Sequence, residues 1–302
     1  MKKRVIVAFS LIVVTVTFLG CGGSGLGIIL FQDNFDSGIW SKNWGLEKGA
    51  NSVDAVRVVS NQSGSGRAVR FELHKTDDLI HSGKRAELSL PNDPQYAERW
   101  YAFSIYLPLD YERDTSEEIL AQWHGWPDEN LGETWMSPPL ALLTGTEHWR
   151  INRLWDANPV SSNDLVKTNY TREYIDLGPY ASDRGKWTNW VFHIKWGWLP
   201  EHNAKLEVYK NGTKVVDRNG LPNTTNDVRG PYFKMGIYKW DWNNCCLPDG
   251  TDPTLEIVNK YGKPMLNEDG TLKLRYLADE RVVFFDSVKI GDEDSRLIDV
   301  TP

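Results

Sequence analysis

Downstream of its N-terminal segment, the chain alternates apolar and polar residues in short runs separated by turn-forming residues. In Ala68–Leu73 the apolar residues fall at every second position, which is the period of a β-strand with one buried face. Asn211-Gly212 stands between the alternating runs Lys205–Lys210 and Thr213–Val216, and this pair is typical of a tight hairpin turn. No segment carries a sustained helical period. The pattern predicts an all-β protein, a β-jelly roll built as a two-sheet antiparallel sandwich.

The first twenty residues carry a different pattern. Basic residues at positions 2–4 precede an apolar run, Val5–Leu19, which is the arrangement of an export signal and is shorter than a typical membrane span. The residues that follow are rich in Gly and Ser, a composition that favours a flexible tether. We predict a signal peptide over residues 1–20, a tether over 21–27 and a single jelly-roll domain over 28–302.

Cys21 lies where cleavage of this signal is expected. Phe18-Leu19-Gly20-Cys21 resembles the lipobox of bacterial lipoproteins. The resemblance implies that Cys21 becomes the lipidated first residue of the mature chain. We therefore expect an exported bacterial lipoprotein at the cell surface or in the periplasm, held to the membrane only through its N-terminal lipid. The alternative is a plain secretory signal with an incidental cysteine.

The net charge limits the classes of partner. The chain carries −7, and removal of the predicted signal, which holds three positive charges, would leave −10. A chain this acidic is not expected to bind nucleic acid. A polyanionic ligand would need basic residues gathered in a local cleft. Cys245 and Cys246 are adjacent, so no stabilising disulfide is predicted, and no C-x-x-C or H-E-x-x-H metal motif occurs.

Three short blocks combine ionisable residues with strand alternation. They are Lys84-Arg85-Ala86-Glu87-Leu88, Gln122-Trp123-His124 and Tyr232-Phe233-Lys234-Met235-Gly236-Ile237-Tyr238. On strands, each block turns its polar residues to one face. If the three strands share the concave face of the sandwich, that face carries Arg, Glu, Gln, His, Lys and Tyr side chains. Such a face is costly as a dry core and suits a wet groove that binds an anionic substrate.

In this order, Arg-x-Glu-Leu, Gln-x-His and Tyr-Phe-Lys-x-Gly-x-Tyr resemble the motifs of jelly-roll alginate lyases. The surrounding sequence, such as Trp100–Pro108 and Gly185–His193, is more similar to the glucuronan-lyase and heparin-lyase-I-like branch. The resemblance spans roughly residues 30–290. Trp123 replaces the small aliphatic residue usual in alginate lyases, and Ser89 replaces a second arginine. These departures argue against alginate itself as the substrate.

The resemblance implies a polysaccharide lyase that cuts a uronic-acid polysaccharide by β-elimination and leaves a 4,5-unsaturated uronate end. This reaction removes the C5 proton and expels the C4 oxygen, so the substrate carboxylate must be neutralised. By resemblance, Gln122 and Arg85 do this. His124 suits the base and Tyr238 the acid, although in a syn elimination Tyr238 can serve as both. Sequence alone leaves the choice of base open.

Other residues of the blocks are expected to bind substrate or support the site. Lys234 would favour the tyrosinate form of Tyr238 through its positive charge, and Glu87 would orient Arg85. Tyr232 lies on the same predicted face, and His81 would add to carboxylate neutralisation or be structural. Candidates for sugar-stacking platforms are Trp123 and Trp240, for which core packing is the competing interpretation.

The predicted chemistry requires no cofactor. Asp33-Asn34-Phe35-Asp36 and Phe285-Asp286 resemble the paired termini of calcium-binding jelly rolls, which implies a structural calcium held by Asp36 and Asp286. Turn formation is the competing explanation for these residues. The loop-like stretch 243–280 is expected to be a functional insertion beside the groove.

Two other functions fit an all-β exported chain. A glycoside hydrolase would need two carboxylates flanking the bond, and no strand carries a cluster of alternating carboxylates. A non-catalytic carbohydrate-binding surface lipoprotein would use the 14 Trp and 12 Tyr residues as sugar platforms, but it has no need for Gln122, His124 and Tyr238 together. We expect a monomer that binds an anionic polysaccharide.

Overall fold

The computed structural model describes residues 26–81, 83–114, 116–162, 169–243, 263–266, 268–270 and 278–302. Fifteen strands lie within these ranges. They are β1 (Ile29–Asp33), β2 (Gly45–Lys48), β3 (Val56–Ser60), β4 (Arg67–His74), β5 (Arg85–Asn92), β6 (Glu98–Tyr106), β7 (Glu118–His124), β8 (Leu140–Gly145), β9 (His148–Trp155), β10 (Thr171–Pro179), β11 (Trp187–Lys195), β12 (Lys205–Lys210), β13 (Thr213–Asp217), β14 (Tyr232–Tyr238) and β15 (Glu280–Gly291). The described helical segments are a short helix α1 (Leu297–Val300) and the 3₁₀ turns Glu129–Leu131, Ala181–Asp183, Pro200–His202 and Trp240–Trp242.

The strands form two antiparallel sheets, as predicted. The outer sheet runs β13-β12-β11-β6-β15-β4-β3, with β1 also paired to β15. The groove sheet runs β10-β9-β8-β7-β14-β5-β2. Consecutive strands pair within β7–β10 and within β11–β13, but β14 lies between β5 and β7, and β15 lies between β4 and β6. This pairing of strands distant in sequence is the topology of a jelly roll and not of a simple meander. The prediction of an all-β jelly roll is confirmed.

The hairpin predicted at Asn211-Gly212 joins β12 to β13. Both turn residues have positive φ, 49° for Asn211 and 78° for Gly212. Two successive positive φ values define the type I′ turn, whose twist matches that of the flanking strands. The local sequence therefore favours this connection, and hydrogen bonds between Asn211 and Asn189 of β11 support it.

The core lies between the two sheets and is rich in aromatic rings. Trp123 on β7 is fully buried in it. Its ring centroid lies 4.7 Å from that of Phe192 on the outer sheet and 5.3 Å from that of Phe233 on β14. The hypothesis that Trp123 is a sugar platform is therefore wrong, because strand alternation turns it away from the face that carries Gln122 and His124. Truncating a buried ring of this size costs about 3–5 kcal/mol.

The predicted signal peptide, Cys21 and most of the tether lie outside the described residues, as does most of the stretch 243–280. Their predictions stay untested. Among the described residues, no helix combines the length and the apolar character needed to cross a membrane.

Candidate active site

The three polar blocks come together in the middle of the groove sheet, where β5, β14 and β7 are neighbours. The cross-strand pairs are Tyr238 with Arg85, Lys234 with Gln122 and Tyr232 with His124. These residues surround a groove of about 1030 Å³, whose lining extends from Glu47 on β2 to Tyr174 on β10. The groove thus crosses every strand of the sheet, and a long polymer can lie across it.

Gly236 explains why the third block contains a glycine. Its φ is 136°, and a Cβ there would lie 2.2 Å from the carbonyl oxygen of Ala86. Between Met235 and Tyr238 the pairing of β14 with β7 shifts register, as in a β-bulge. A bulge of this kind re-aims the side chain that follows it, here Tyr238, which lines the groove.

A network of four charged residues lies beneath the groove. The Nζ of Lys234 lies 2.9 Å from an Oε2 of Glu47 and 2.7 Å from Oε2 of Glu87. The Nη1 of Arg85 lies 3.3 Å from Glu47 Oε2 and 3.4 Å from Glu87 Oε2. Two cations and two carboxylates balance each other, which is the condition under which buried charges are tolerated.

This geometry corrects two expectations about direct substrate contact. The side chains of Lys234 and Glu87 are each only 1% exposed, and neither lines the groove. Both residues therefore support the groove-lining side chains from beneath and do not contact the substrate directly. Glu87 contacts Arg85, as expected, and also accepts a hydrogen bond from the Gln122 amide. Lys234 is fixed by its two carboxylate partners and is not presented to a substrate.

The network keeps Arg85 charged. Burial alone would lower the pKa of Arg85, but the charges of Glu87 and Glu47 raise it above its ordinary value. Burial alone would raise the pKa of Glu47, but Lys234 and Arg85 hold it below its ordinary value. Arg85 thus offers the groove a permanent guanidinium, the group best suited to a paired contact with a carboxylate.

Gln122 has hydrogen-bonding groups that no partner among the described residues uses. One amide N–H is used by Glu87, and Nε2 carries a second hydrogen. Its Oε1 is buried without a hydrogen-bond partner among the described residues. Because Gln122 also lines the groove, these unused groups are suited to a substrate.

Tyr238 packs against the Arg85 guanidinium, whose Cζ lies 4.3 Å from the ring centroid. Gly83 permits this packing, since a Cβ there would lie 2.7 Å from the Tyr238 ring and 2.8 Å from an Arg85 nitrogen. His81, two residues earlier, also lines the groove. Its charge contributes to the lowered pKa of Glu47, so it is close to the network.

His124 is held as a neutral imidazole with a defined tautomer. Its Nδ1 lies 2.8 Å from the carbonyl oxygen of Gly125, and because a carbonyl only accepts, Nδ1 carries the proton. Burial lowers the pKa of His124 to about 4, with further lowering by the charges of Lys234 and Arg85. This pKa is below the ordinary, near-neutral value of histidine. At pH 7 its Nε2 is an unprotonated acceptor.

Aromatic rings form one end of the groove. Trp126 and Trp135 lie in the loop after β7 with ring centroids 5.2 Å apart, and Trp135 lies 5.6 Å from the His124 ring. Tyr232 is 5.7 Å from His124, and burial with the nearby carboxylates raises the pKa of its phenol. Trp240 lies next to Tyr238, at the other end of β14 from Tyr232, and also lines the groove; its role as a sugar platform stays a prediction.

The loops around this aromatic end meet at a cluster of buried carboxylates. Burial, together with the negative charges of Glu133, Asp128 and Asp156, raises the pKa of Asp227 to about 7. Hydrogen bonds also cross the cluster, since Glu133 accepts from the backbone of both Asp128 and Ser161.

The predicted calcium ligands lie near each other, since the charge of Asp36 acts on Asp286. Burial raises the pKa of Asp286 to about 6, with a contribution from the charge of Asp36. The Nδ2 of Asn61 donates to Asp286 at 2.6 Å. The Asn61 amide thus presents its nitrogen to Asp286, while its Oδ1 accepts from Ser63 and Trp187. The two neighbouring carboxylates are the oxygen ligands that a hard cation takes.

Glu72, His74 and Glu280 form another group of clustered possible metal ligands within the described ranges. It lies on β4 and β15 of the outer sheet. Arg70 is ion-paired with Glu72 there, so a cationic side chain already satisfies this group.

Several groove residues were not identified from the sequence. Glu47 belongs to a short edge strand with no motif, and only the pairing of β2 with β5 brings it beneath Arg85. Trp126 and Trp135 follow the Gln-x-His block closely and could have been suspected from that spacing. Asn152 and Tyr174 also line the groove, and their alternation on β9 and β10 was the available signal.

Comparison with known proteins agrees with this geometry. A sequence model described as polysaccharide lyase matches residues 35–289. The chain therefore belongs to this polysaccharide lyase family, and its substrate class is a polysaccharide. A search of curated protein sequences finds no significant match.

Solved structures share the fold at low identity. An endo-β-1,4-glucuronan lyase from the fungus Trichoderma reesei is 16% identical, with a TM-score of 0.58 over 86% of this chain and 98% of that one. An exolytic PL7 alginate lyase from Zobellia galactanivorans is 11% identical, with a TM-score of 0.52 over 84% and 96%. A Bacteroides ovatus GH16 protein from a mixed linkage glucan PUL is 14% identical, with a TM-score of 0.51 over 87% and 100%. At these identities the likeness concerns the fold, so the reaction must be argued from the site.

Proposed function

We propose that the protein is a uronan lyase that cleaves a glucuronan- or alginate-like polysaccharide by β-elimination. The observation that carries the proposal is the convergence of Arg85, Gln122, His124 and Tyr238 on one groove, with His124 neutral and its Nε2 unprotonated. Glucuronan is the first polymer to test, because the Trichoderma reesei protein with the same fold is described as a glucuronan lyase.

Carboxylate neutralisation comes first in this mechanism. The C5 proton becomes acidic only when the charge that develops on the uronate carboxylate is stabilised. Arg85 supplies a permanent guanidinium, and Gln122 supplies the amide N–H that Glu87 does not use. Both groups are fixed from below by the charged network, so little reorganisation accompanies the reaction.

Two proton transfers complete the elimination. His124 Nε2 takes the C5 proton, the C4–O bond breaks as the C4–C5 double bond forms, and the Tyr238 hydroxyl protonates the leaving C4 oxygen. Solvent returns the proton from His124 to Tyr238 after product release. No step requires a cofactor. A calcium ion between Asp36 and Asp286 would be structural, tying the region after β1 to β15.

A competing division of labour assigns both transfers to Tyr238, with His124 as a hydrogen-bond partner of the substrate. The pH dependence of kcat/KM distinguishes the two. A base with the pKa of His124 gives full activity above about pH 4, whereas a tyrosine base gives a rate that increases into the alkaline range.

The activity is tested by ultraviolet absorbance on glucuronan, polymannuronate, polyguluronate, ulvan, heparin and hyaluronan. Elimination creates a double bond conjugated to the carboxylate, and hydrolysis does not. We expect the absorbance to rise on one polymer and this rise to be lost in His124→Ala and Tyr238→Phe. His148→Ala is the control and should keep the rise, because His148 pairs with Asp176 at the edge of the sheet. Binding without any rise would indicate a carbohydrate-binding protein, and new reducing ends without a rise would indicate a hydrolase.

We also propose that Cys21 carries a lipid that anchors the exported protein. The support is the lipobox-like sequence at the end of the apolar run. In a bacterial host, Cys21→Ser is expected to move the protein from the membrane fraction to the soluble exported fraction. Equal membrane association of the variant would contradict the anchor.

A further inference from the structure

The groove extends well beyond the proposed reaction centre. Gln122 pairs with Ala141, Ala141 with Asn152, and Asn152 with Tyr174, so a single cross-strand row leads from β7 to β10. Three strand spacings separate the ends of this row, which is ~14 Å. Ala141 lies between Gln122 and Asn152 in this row, and its small side chain does not obstruct the groove. A polymer held at Gln122 can therefore reach the edge strand β10.

Arg172 lies two residues before Tyr174 on β10, on the same face of the strand, and also lines the groove. Its guanidinium carbon lies 5.1 Å from the ring centroid of Tyr170 and 5.8 Å from that of Tyr174. Its Nη1 donates to the Tyr174 hydroxyl at 3.2 Å, and its Nε is buried without a hydrogen-bond partner among the described residues. Two tyrosine rings thus hold the side chain while leaving donors unused.

Arg172 differs from the other arginines of this sheet in its partners. Arg85 pairs with Glu47 and Glu87, Arg150 with Glu117, and Arg153 with Glu173. Arg172 has no ion pair with a carboxylate in the described part of the chain. An arginine held between aromatic rings in a groove, with its charge uncompensated nearby, is suited to bind an external carboxylate.

Asn152 supplies a second polar group along the same row. It is 5% exposed, and its Oδ1 is buried without a partner among the described residues. Its Nδ2 makes only a long contact of 3.4 Å with the carbonyl oxygen of Pro138. A buried acceptor without a partner is costly, and a sugar hydroxyl lying in the groove would satisfy it.

We infer that Arg172, Tyr174 and Asn152 form a second subsite, which binds the carboxylate and a hydroxyl of a uronate several residues from the cleaved bond. This inference rests on the proposed lyase function and deepens it. The substrate is then a polymer with uronates both at the cleaved position and further along the chain. A substrate with a single uronate beside neutral sugars would leave this guanidinium unused.

The test uses a length series of glucuronan oligosaccharides, with product followed by the absorbance of the unsaturated end. For the wild type, KM is expected to fall by about tenfold at the length that first brings a uronate to Arg172. In Arg172→Gln, this fall in KM with length should be absent, while kcat on long oligosaccharides should stay within about twofold of the wild-type value. Arg172→Lys keeps the charge but not the forked donor, so part of the step should return.

Arg57→Gln is the matched control, because it removes one exposed positive charge from the outer sheet. It should keep the length step unchanged. If Arg172→Gln also keeps the step, or if the wild type shows none, the second subsite is refuted and the lyase function stands. If the wild type forms no unsaturated product at any length, the proposed function on this polymer fails and the subsite fails with it.

Discussion

Replacing Lys234 with methionine tests whether this residue supports the site from below or touches the substrate. Its side chain is 1% exposed and lies within 2.9 Å of two carboxylates. Methionine has a similar length but no charge, so the variant would leave Glu47 and Glu87 with Arg85 as the remaining cation of the network. A buried charge that loses its partner costs about 3–5 kcal/mol of folding free energy, or a decrease in Tm of roughly 6 °C or more for a domain of this size.

The assay is urea unfolding at pH 7 with extrapolation to zero denaturant. Lys214→Met is the matched control, since Lys214 pairs with Glu207 and Asp217 but is 38% exposed. Exposed ion pairs contribute at most about 1 kcal/mol. Adding Glu47→Gln to Lys234→Met restores the balance to one cation and one carboxylate, so the double variant should recover more than about 1 kcal/mol of the loss.

Catalysis provides a second readout for the same variant. The charge of Lys234 lowers the pKa of His124, so its removal should shift the acid limb of kcat/KM to higher pH. The reasoning is refuted if Lys234→Met unfolds within about 1 kcal/mol of the wild type. A rise in KM that disappears at high salt, without loss of stability, would instead place Lys234 in contact with the substrate.

Three further predictions concern protons and calcium. The ring of His124 should titrate near pH 4 by NMR and not near its ordinary value, and a midpoint above 6 would contradict the tautomer and burial described above. Because the folded-state pKa of Asp227 is raised to about 7, its carboxyl is protonated in the folded state at pH values where it is ionised in the unfolded state. The contribution of Asp227 to stability should therefore fall by roughly 1.4 kcal/mol per pH unit between about pH 4 and 7. The free energy of unfolding of Asp227→Asn, measured with urea, should lack this contribution and so decline less over that range than the wild-type value. Calcium should raise the Tm of the EDTA-treated protein, since a calcium concentration of one hundred times Kd stabilises the folded state by about 2.7 kcal/mol. Asp286→Asn should abolish that rise. An unchanged wild-type Tm would leave Asp36 and Asp286 as turn residues.

The centre of the candidate site could be predicted because its residues alternate within short strands. Arg85, Gln122, His124 and Tyr238 each occupy a position whose face follows from the two-residue period, and the three blocks resemble a known motif set. The environment of these residues could not be predicted. That His124 is neutral, and that Lys234 lies beneath the groove, depends on burial and on neighbours contributed by other strands.

Glu47 shows most clearly which part of the site could not be predicted from the sequence. It lies in a four-residue strand with no motif, and it reaches Lys234 and Arg85 only because β2 pairs with β5 at the edge of the groove sheet. The same holds for Arg172, whose role depends on β10 lying at the opposite edge. Trp123 shows the reverse case, because its alternation relative to His124 already pointed to the core.

The sequence by itself determined the all-β class, the hairpin at Asn211-Gly212 and the faces of the three polar blocks, because these follow from the two-residue period and from local turn chemistry. Only the tertiary structure decided which strands are neighbours, and with that the balanced network under Arg85, the pKa of His124 and the length of the groove. The physical reason is that hydrogen-bonded pairing joins strands distant in sequence, and electrostatic effects depend on distance in space.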